Sequence, residues 1–173
     1  REKHPRHAYV LKLLVKTLQE LKDWVALNDL LPTLRKATKI PADDLKTLEE
    51  NVALQLLDRA RHSNGGKELV STFNGLSRDV RYTQKVMSAY VELLLETDQE
   101  AKAEEALREG LKSSWHDDLV EQYGRIKGDD ASKQLLFAEQ NLKERPNDPV
   151  LLLTIGRLAP VSYTHLRAHE TDS

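Results

Sequence analysis

From Leu11 to Leu158 the apolar residues recur at intervals of three and four, and no stretch alternates apolar with polar residues at period two. This pattern limits the fold more than any other feature. It draws one apolar stripe along each of a series of helices and leaves no half-buried strand from which to build a sheet. The segments between stripes are short and hold residues that stop and start helices: Asp23, Pro41 to Asp44, Asn64-Gly65-Gly66, Thr97-Asp98, Trp115 to Asp118, Gly128-Asp129-Asp130 and Arg145 to Pro149. Connections of a few residues join antiparallel neighbours, so the expectation is an all-α chain of short helix pairs.

In detail, the first helix should begin after His4-Pro5, carry Leu11, Leu14, Val15 and Leu18 on one stripe, and end near Leu21-Lys22, where Asp23 caps a second. The second carries Trp24, Leu27, Leu30, Leu31 and Leu34. Pro32 lies inside it and removes one backbone hydrogen bond, so a kink or an early stop is expected there. A third helix, capped by Asp43 or Asp44, has Leu45, Leu48, Val52, Leu56 and Arg59 on one face with Ala53, Leu57 and Ala60 beside them. A shorter helix bears Leu69, Val70, Phe73 and Leu76. One long helix from Ser77 to Thr97 then turns Val80, Val86, Met87, Tyr90, Leu93 and Leu94 inward, and residues 99 to 112 form its partner. Three shorter helices follow, carrying Leu119 and Tyr123, then Leu135, Leu136 and Leu142, then Val150 to Ala159.

Short paired helices call for a search for internal repeats. Superposing the pairs gives a tetratricopeptide-like frame of about 34 residues. With Ala8 as its first position, Leu11, Leu14, Val15 and Leu18 fill the first helix and Trp24, Leu27, Leu31 and Leu34 the second. With Gln84 as its first position, Met87, Tyr90, Val91 and Leu94 are followed by Ala103, Leu107, Gly110 and Leu111, the small residues allowing a close approach of the two helices. A third frame starts at Pro149 and holds Leu152, Ile155 and Gly156. The frames lie 76 and then 65 residues apart, so the units between them carry insertions or are degenerate. Such pairs cannot bury their own apolar faces and stack on their neighbours, which predicts a right-handed solenoid with a concave surface.

The helical-repeat domain is expected to span residues 1–159. Residues 160–173 have neither helical period nor turn logic, and their back-translation resembles the mosaic end and primer extension ligated by transposase library kits. They are expected to be a disordered, translated sequencing adapter, and with an initial Arg1 rather than Met the chain is expected to be a fragment truncated at both ends.

Composition removes several function classes. With 26 basic and 28 acidic residues there is no cationic surplus for nucleic acid. The absence of cysteine removes disulfides, thiolate zinc sites and cysteine nucleophiles. No apolar run approaches the roughly 18 residues of a membrane span. The seven glycines form neither a dinucleotide fingerprint nor a phosphate loop, and no His-Glu-x-x-His spacing exists. His4 and His7 would share a face only if a helix began before Pro5, so no metal pair is expected there. The acid pairs Glu49-Glu50, Glu104-Glu105 and Asp117-Asp118 fall on solvated faces or caps with no nucleophile attached. Trp24, Phe73, Tyr90 and Trp115 sit on apolar stripes and read as packing residues.

The runs His4 to Leu14, Asp23 to Pro32, Ala101 to Lys112 and Arg145 to Gly156, in this order and spacing, resemble the HemY family. The resemblance implies a proteobacterial helical-repeat protein encoded with haem-biosynthesis genes. It also implies an amino-terminal membrane anchor outside these residues, an inner-membrane location for the full-length protein and a cytoplasmic repeat domain. The flavin-dependent protoporphyrinogen oxidase that shares the name is a different protein, and nothing here resembles its dinucleotide-binding segment. The expected function is a non-catalytic scaffold without cofactor. Its partners would be proteins, late haem-biosynthesis enzymes on this resemblance, held in the concave groove with Lys12, Lys16, Arg81, Lys85 and Glu92 as contacts chosen by helix phase. The alternative is a haem or porphyrin carrier using His116 or Tyr90 as axial ligand. A co-chaperone-like carboxylate clamp would need a set of basic and amide residues at fixed helix positions, and that set is not found.

Overall fold

In the computed structural model, residues 5–37 and 39–159 are described, and they hold ten α-helices, one 3₁₀ turn and no strand. The expected adapter peptide at 160–173 lies outside the described residues, as does His4. The chain forms two compact units, Arg1–Val86 and Met87–Ser173.

The first unit contains α1 (Pro5–Glu20), α2 (Trp24–Lys36), α3 (Ala42–Arg61), the 3₁₀ turn (Asn64–Gly66), α4 (Leu69–Gly75) and α5 (Arg78–Arg81). α1 packs on α2, α2 on α3, and α3 on both α4 and α5. Leu11, Leu27, Leu31, Leu34 and Val52 form a buried cluster, with Val15, Leu18, Trp24, Leu45, Leu48 and Leu56 packed around it. The first turn is the one expected. The Asp23 carboxylate accepts from the Ala26 N–H at 3.1 Å. Lys22 adopts a left-handed φ of 55°, and the Asp23 N–H reaches back to the Leu18 carbonyl at 3.0 Å, closing α1.

Two expectations need correction here, and a third is narrowed. Of the two outcomes expected at Pro32, the early stop does not occur, and α2 continues to Lys36. An interior proline costs about 3 kcal/mol, yet ending the helix there would forfeit the burial of Leu34, worth about 1.5–3 kcal/mol, and its packing in the cluster; Pro32 itself faces solvent. α3 is not capped by Asp43 or Asp44. Pro41 occupies the cap position without a side-chain bond, and the two aspartates sit in the first turn, where they complement the helix dipole. The long helix expected from Ser77 to Thr97 is two helices, α5 and α6 (Gln84–Glu96). Thr83 divides them: its hydroxyl donates to the Val80 carbonyl at 3.0 Å and accepts from the Val86 N–H at 3.4 Å.

The second unit takes up most of α6 and contains α7 (Glu100–Ser113), α8 (Asp117–Arg125), α9 (Ala131–Leu142) and α10 (Pro149–Leu158). Its turn between α6 and α7 repeats the geometry of the first. Asp98 has φ 58°, and the Gln99 N–H reaches the Leu94 carbonyl at 2.8 Å. α6, α8 and α10 begin at Gln84, Asp117 and Pro149, 33 and then 32 residues apart. Two hydrogen bonds join positions 34 residues apart, Gln122 to the Ser88 carbonyl at 3.5 Å and Thr154 to the Val120 carbonyl at 3.1 Å. The 65 residues between the second and third frames thus hold two helix pairs, α6 with α7 and α8 with α9.

Small residues set the close approaches in this unit. A Cβ on Gly110 would stand 2.9 Å from the Met87 methyl, and one on Gly124 would meet Thr154 Cα at 3.2 Å. α9 buries Gln134 and Ala138 rather than the leucines expected, with Leu136 exposed. On α10, Leu151, Thr154 and Ile155 are buried, whereas Leu152 and Gly156 of the expected frame face outward.

Candidate partner-binding face

The proposed groove residues divide by unit. In the first unit Lys12 and Lys16 are exposed one turn apart on α1. Lys12 reaches the rim of a cavity of about 470 Å³ whose floor is Val15, Leu34, Ile40 and Leu48 and whose rim also holds Lys39 and Asp44. Lys16 does not line it. An apolar floor with a mixed-charge rim suits an apolar side chain flanked by polar ones. Lys85 is exposed in the first turn of α6, and Glu92, also exposed, follows two turns later on that helix.

Arg81 departs from the expected placement. It ends α5 instead of lying on a long helix with Lys85, and it is half-buried. Its guanidinium lies 5.7 Å from the centroid of the Tyr82 ring, and Arg78 lies 5.9 Å from the same ring. The Nε of Arg81 is buried with no hydrogen-bond acceptor. Arg35 anchors the start of α5: it donates to the Ser77 hydroxyl at 3.2 Å while paired with Glu49.

The two candidate tetrapyrrole ligands are both in the second unit and differ in setting. Tyr90 is 3% exposed. Burial, reinforced by Glu105, pushes its hydroxyl up to about 12, which holds it as the neutral phenol rather than the phenolate a metal requires. His116 occupies the N-cap position of α8 without capping through its side chain. Its Nε2 is 3.0 Å from the Ser114 hydroxyl.

Glu104, Glu49 and Glu50 of the acid pairs have partners inside the fold. Glu104 accepts from Tyr123 at 2.7 Å and Arg108 at 3.1 Å, a tie between α7 and α8. Burial and this bond drive the Tyr123 phenol further up than Tyr90. Glu49 pairs with Arg35, and Glu50 lies 4.0 Å from Lys46. Among the described residues no three His, Asp or Glu side chains cluster as a metal site.

Sequence reasoning missed three arrangements. Gln134, 2% exposed, donates to the Tyr123 and Ile126 carbonyls at 3.0 and 2.8 Å and accepts from the Gly128 N–H at 3.1 Å, which clips the loop between α8 and α9. Arg145 stacks 4.2 Å over Trp115. The Arg78–Tyr82–Arg81 stack is the third; its only trace in the sequence is the five-residue run Arg78-Asp79-Val80-Arg81-Tyr82 after Ser77.

Helix pairs that recur with the same turn and near-constant spacing define an all-α helical-repeat protein. The comparisons place a name beside that class. The chain is 28% identical over 153 residues to Protein HemY of Escherichia coli K12, and to the proteins of the same name in Escherichia coli O157:H7 and Shigella flexneri. The match takes in 88% of this chain and 38% of each relative. These relatives support membership of the HemY family. No family model and no solved structure matches the chain. No helix among the described residues is long and apolar enough to cross a membrane.

Proposed function

We propose that the chain is part of a non-catalytic, tetratricopeptide-like scaffold associated with late haem biosynthesis, one that binds partner proteins through exposed faces of its helix pairs. The observation that carries this reading is the cavity under Lys12, an apolar floor framed by lysines and an aspartate on the first helix pair, in a chain whose relatives are named Protein HemY. The partners are proteins, late haem-biosynthesis enzymes by the family's association. An inner-membrane location belongs to the full-length protein and to an anchor outside these residues.

The test is recovery of the full-length protein from native membranes, with bound proteins identified by mass spectrometry and bound pigment read by absorption. Enrichment of late haem-pathway enzymes without stoichiometric pigment is the expected result. Pigment without enzyme would replace the scaffold by a tetrapyrrole carrier.

A further inference from the structure

We infer that Arg78 and Arg81, whose guanidiniums lie 5.9 and 5.7 Å from the centroid of the Tyr82 ring, form an anchor for the carboxylates of an acidic peptide segment on a protein partner. The inference rests on the partner-binding reading above and names the chemistry of the partner at one place in the first unit.

The shared ring, together with the lack of a carboxylate partner, sets these two arginines apart; exposed Arg59 also has no carboxylate within 4.0 Å among the described residues, but no ring contact either. Arg35, Arg61, Arg108, Arg125, Arg145 and Arg157 each lie within 4.0 Å of a carboxylate. Among the described residues Arg78 and Arg81 have no such partner, although Asp79 stands between them in sequence. What they have is the Tyr82 ring, at 5.9 and 5.7 Å. An aromatic face holds a guanidinium in place without using its N–H donors. Two planar forks are therefore restrained with their hydrogen bonds unspent, and a buried guanidinium N–H without an acceptor, as at Arg81 Nε, is a cost that the fold itself does not offset.

The platform is also fixed from below. α5 is tied through Ser77 to Arg35, itself neutralised by Glu49, and Val80 is 5% exposed in the core. Exposed Lys85, at the start of α6, is the next cation along the chain. Two guanidiniums at one ring match one or two carboxylates. Two are too few for a phosphate backbone, and the chain as a whole carries a net charge of −2. Guanidinium forks pair with carboxylates in bidentate geometry, so a run of Glu and Asp is the fitting ligand.

The probe is a short fluorescein-labelled peptide of Glu, Asp and Leu, together with its Gln, Asn and Leu counterpart, titrated into the full-length protein and read by anisotropy. The acidic peptide should bind, the amide peptide should not, and R78Q/R81Q should weaken binding by about tenfold or more. Tyr82→Phe should keep the affinity and Tyr82→Leu should lower it, since only the latter removes the ring. R78K/R81K retains charge without the fork and should fall between, which serves if the glutamine variant folds poorly by circular dichroism. Equal binding of the two peptides, or full affinity in both double variants, would overturn the anchor. If R78Q/R81Q recovers the same partner enzymes from membranes as the unaltered protein, the anchor fails and the scaffold reading survives. If the unaltered protein binds the acidic peptide yet recovers no enzyme, the scaffold reading fails and the anchor survives.

Discussion

Two glycines at close approaches between helices differ in what surrounds them. A methyl at Gly110 meets the mobile end of Met87, while a methyl at Gly124 meets the α10 backbone at Thr154. Gly110→Ala should therefore be close to neutral, its crowding offset by the gain in helix propensity of up to about 1 kcal/mol. Gly124→Ala should destabilise by about 1–3 kcal/mol, because a packed backbone cannot move aside. Urea denaturation of both variants checks the contrast, and equal midpoints would contradict it. At Gln134, replacement by Leu leaves two carbonyls and an N–H without partners in the core, a loss on the order of 3 kcal/mol by the same measurement. Gly110 was legible in the sequence because a small residue stood where the repeat frame wanted one. Gln134 was not, since a polar residue on a helix stripe has the same appearance whether water or three backbone groups satisfy it. The proposed contacts Lys12, Lys16, Lys85 and Glu92 are exposed, which leaves them open to a partner without showing one. Arg81 was misplaced because its phase was counted along a helix that ends before Lys85.

The elements were legible wherever one stripe ran unbroken between strong stop signals. Helix α1 and the turn at Asp23 followed from that logic, and so did α7 and the Asp148-capped α10, where the Asp148 carboxylate accepts from the Val150 and Leu151 N–H groups. The break between α5 and α6 was missed, although the apolar positions Val80 and Val86 are six apart, an interval that no single helix face supplies. A threonine that caps on one side and bonds backward on the other leaves no more than that in a sequence. The two left-handed turns give a prediction at this scale. Lys22 and Asp98 hold φ values of 55° and 58°, where a Cβ is unfavourable. Lys22→Gly and Asp98→Gly should each stabilise the chain by about 0.5–1 kcal/mol. Thermal melts rising in both variants are the expected outcome, and a fall in either would place the side chain's own contacts above the backbone gain.

For the molecule as a whole, the all-α class was readable from periodicity alone, whereas the handedness and concavity of a solenoid belong to the stacking of units and are not written in any one stripe. The buried phenols couple the fold to alkaline pH. Tyr90 keeps its proton to about 12 in the folded chain, while an unfolded tyrosine releases it near about 10. Between those values the unfolded state binds fewer protons, so stability that is complete below about pH 10 is lost as pH rises, on the order of 2 kcal/mol for one such group. Tyr123 acts in the same direction. Absorbance of ionised phenol should therefore rise together with loss of helicity, and Tyr90→Phe should shift that transition upward. Haemin titration tests the carrier alternative on the same protein: the expected spectrum shows no Soret shift that depends on His116, whose ring nitrogen already has a hydroxyl neighbour, and a shift abolished by His116→Ala would reverse the ranking. The turns Leu21-Lys22-Asp23 and Thr97-Asp98-Gln99 share no residue at matching places, yet the same backbone bond spanning five residues closes both. Mutation can replace every letter of such a hairpin without disturbing the bond that defines it, so copies of an ancestral unit can drift until their common origin is recorded only in the path of the main chain.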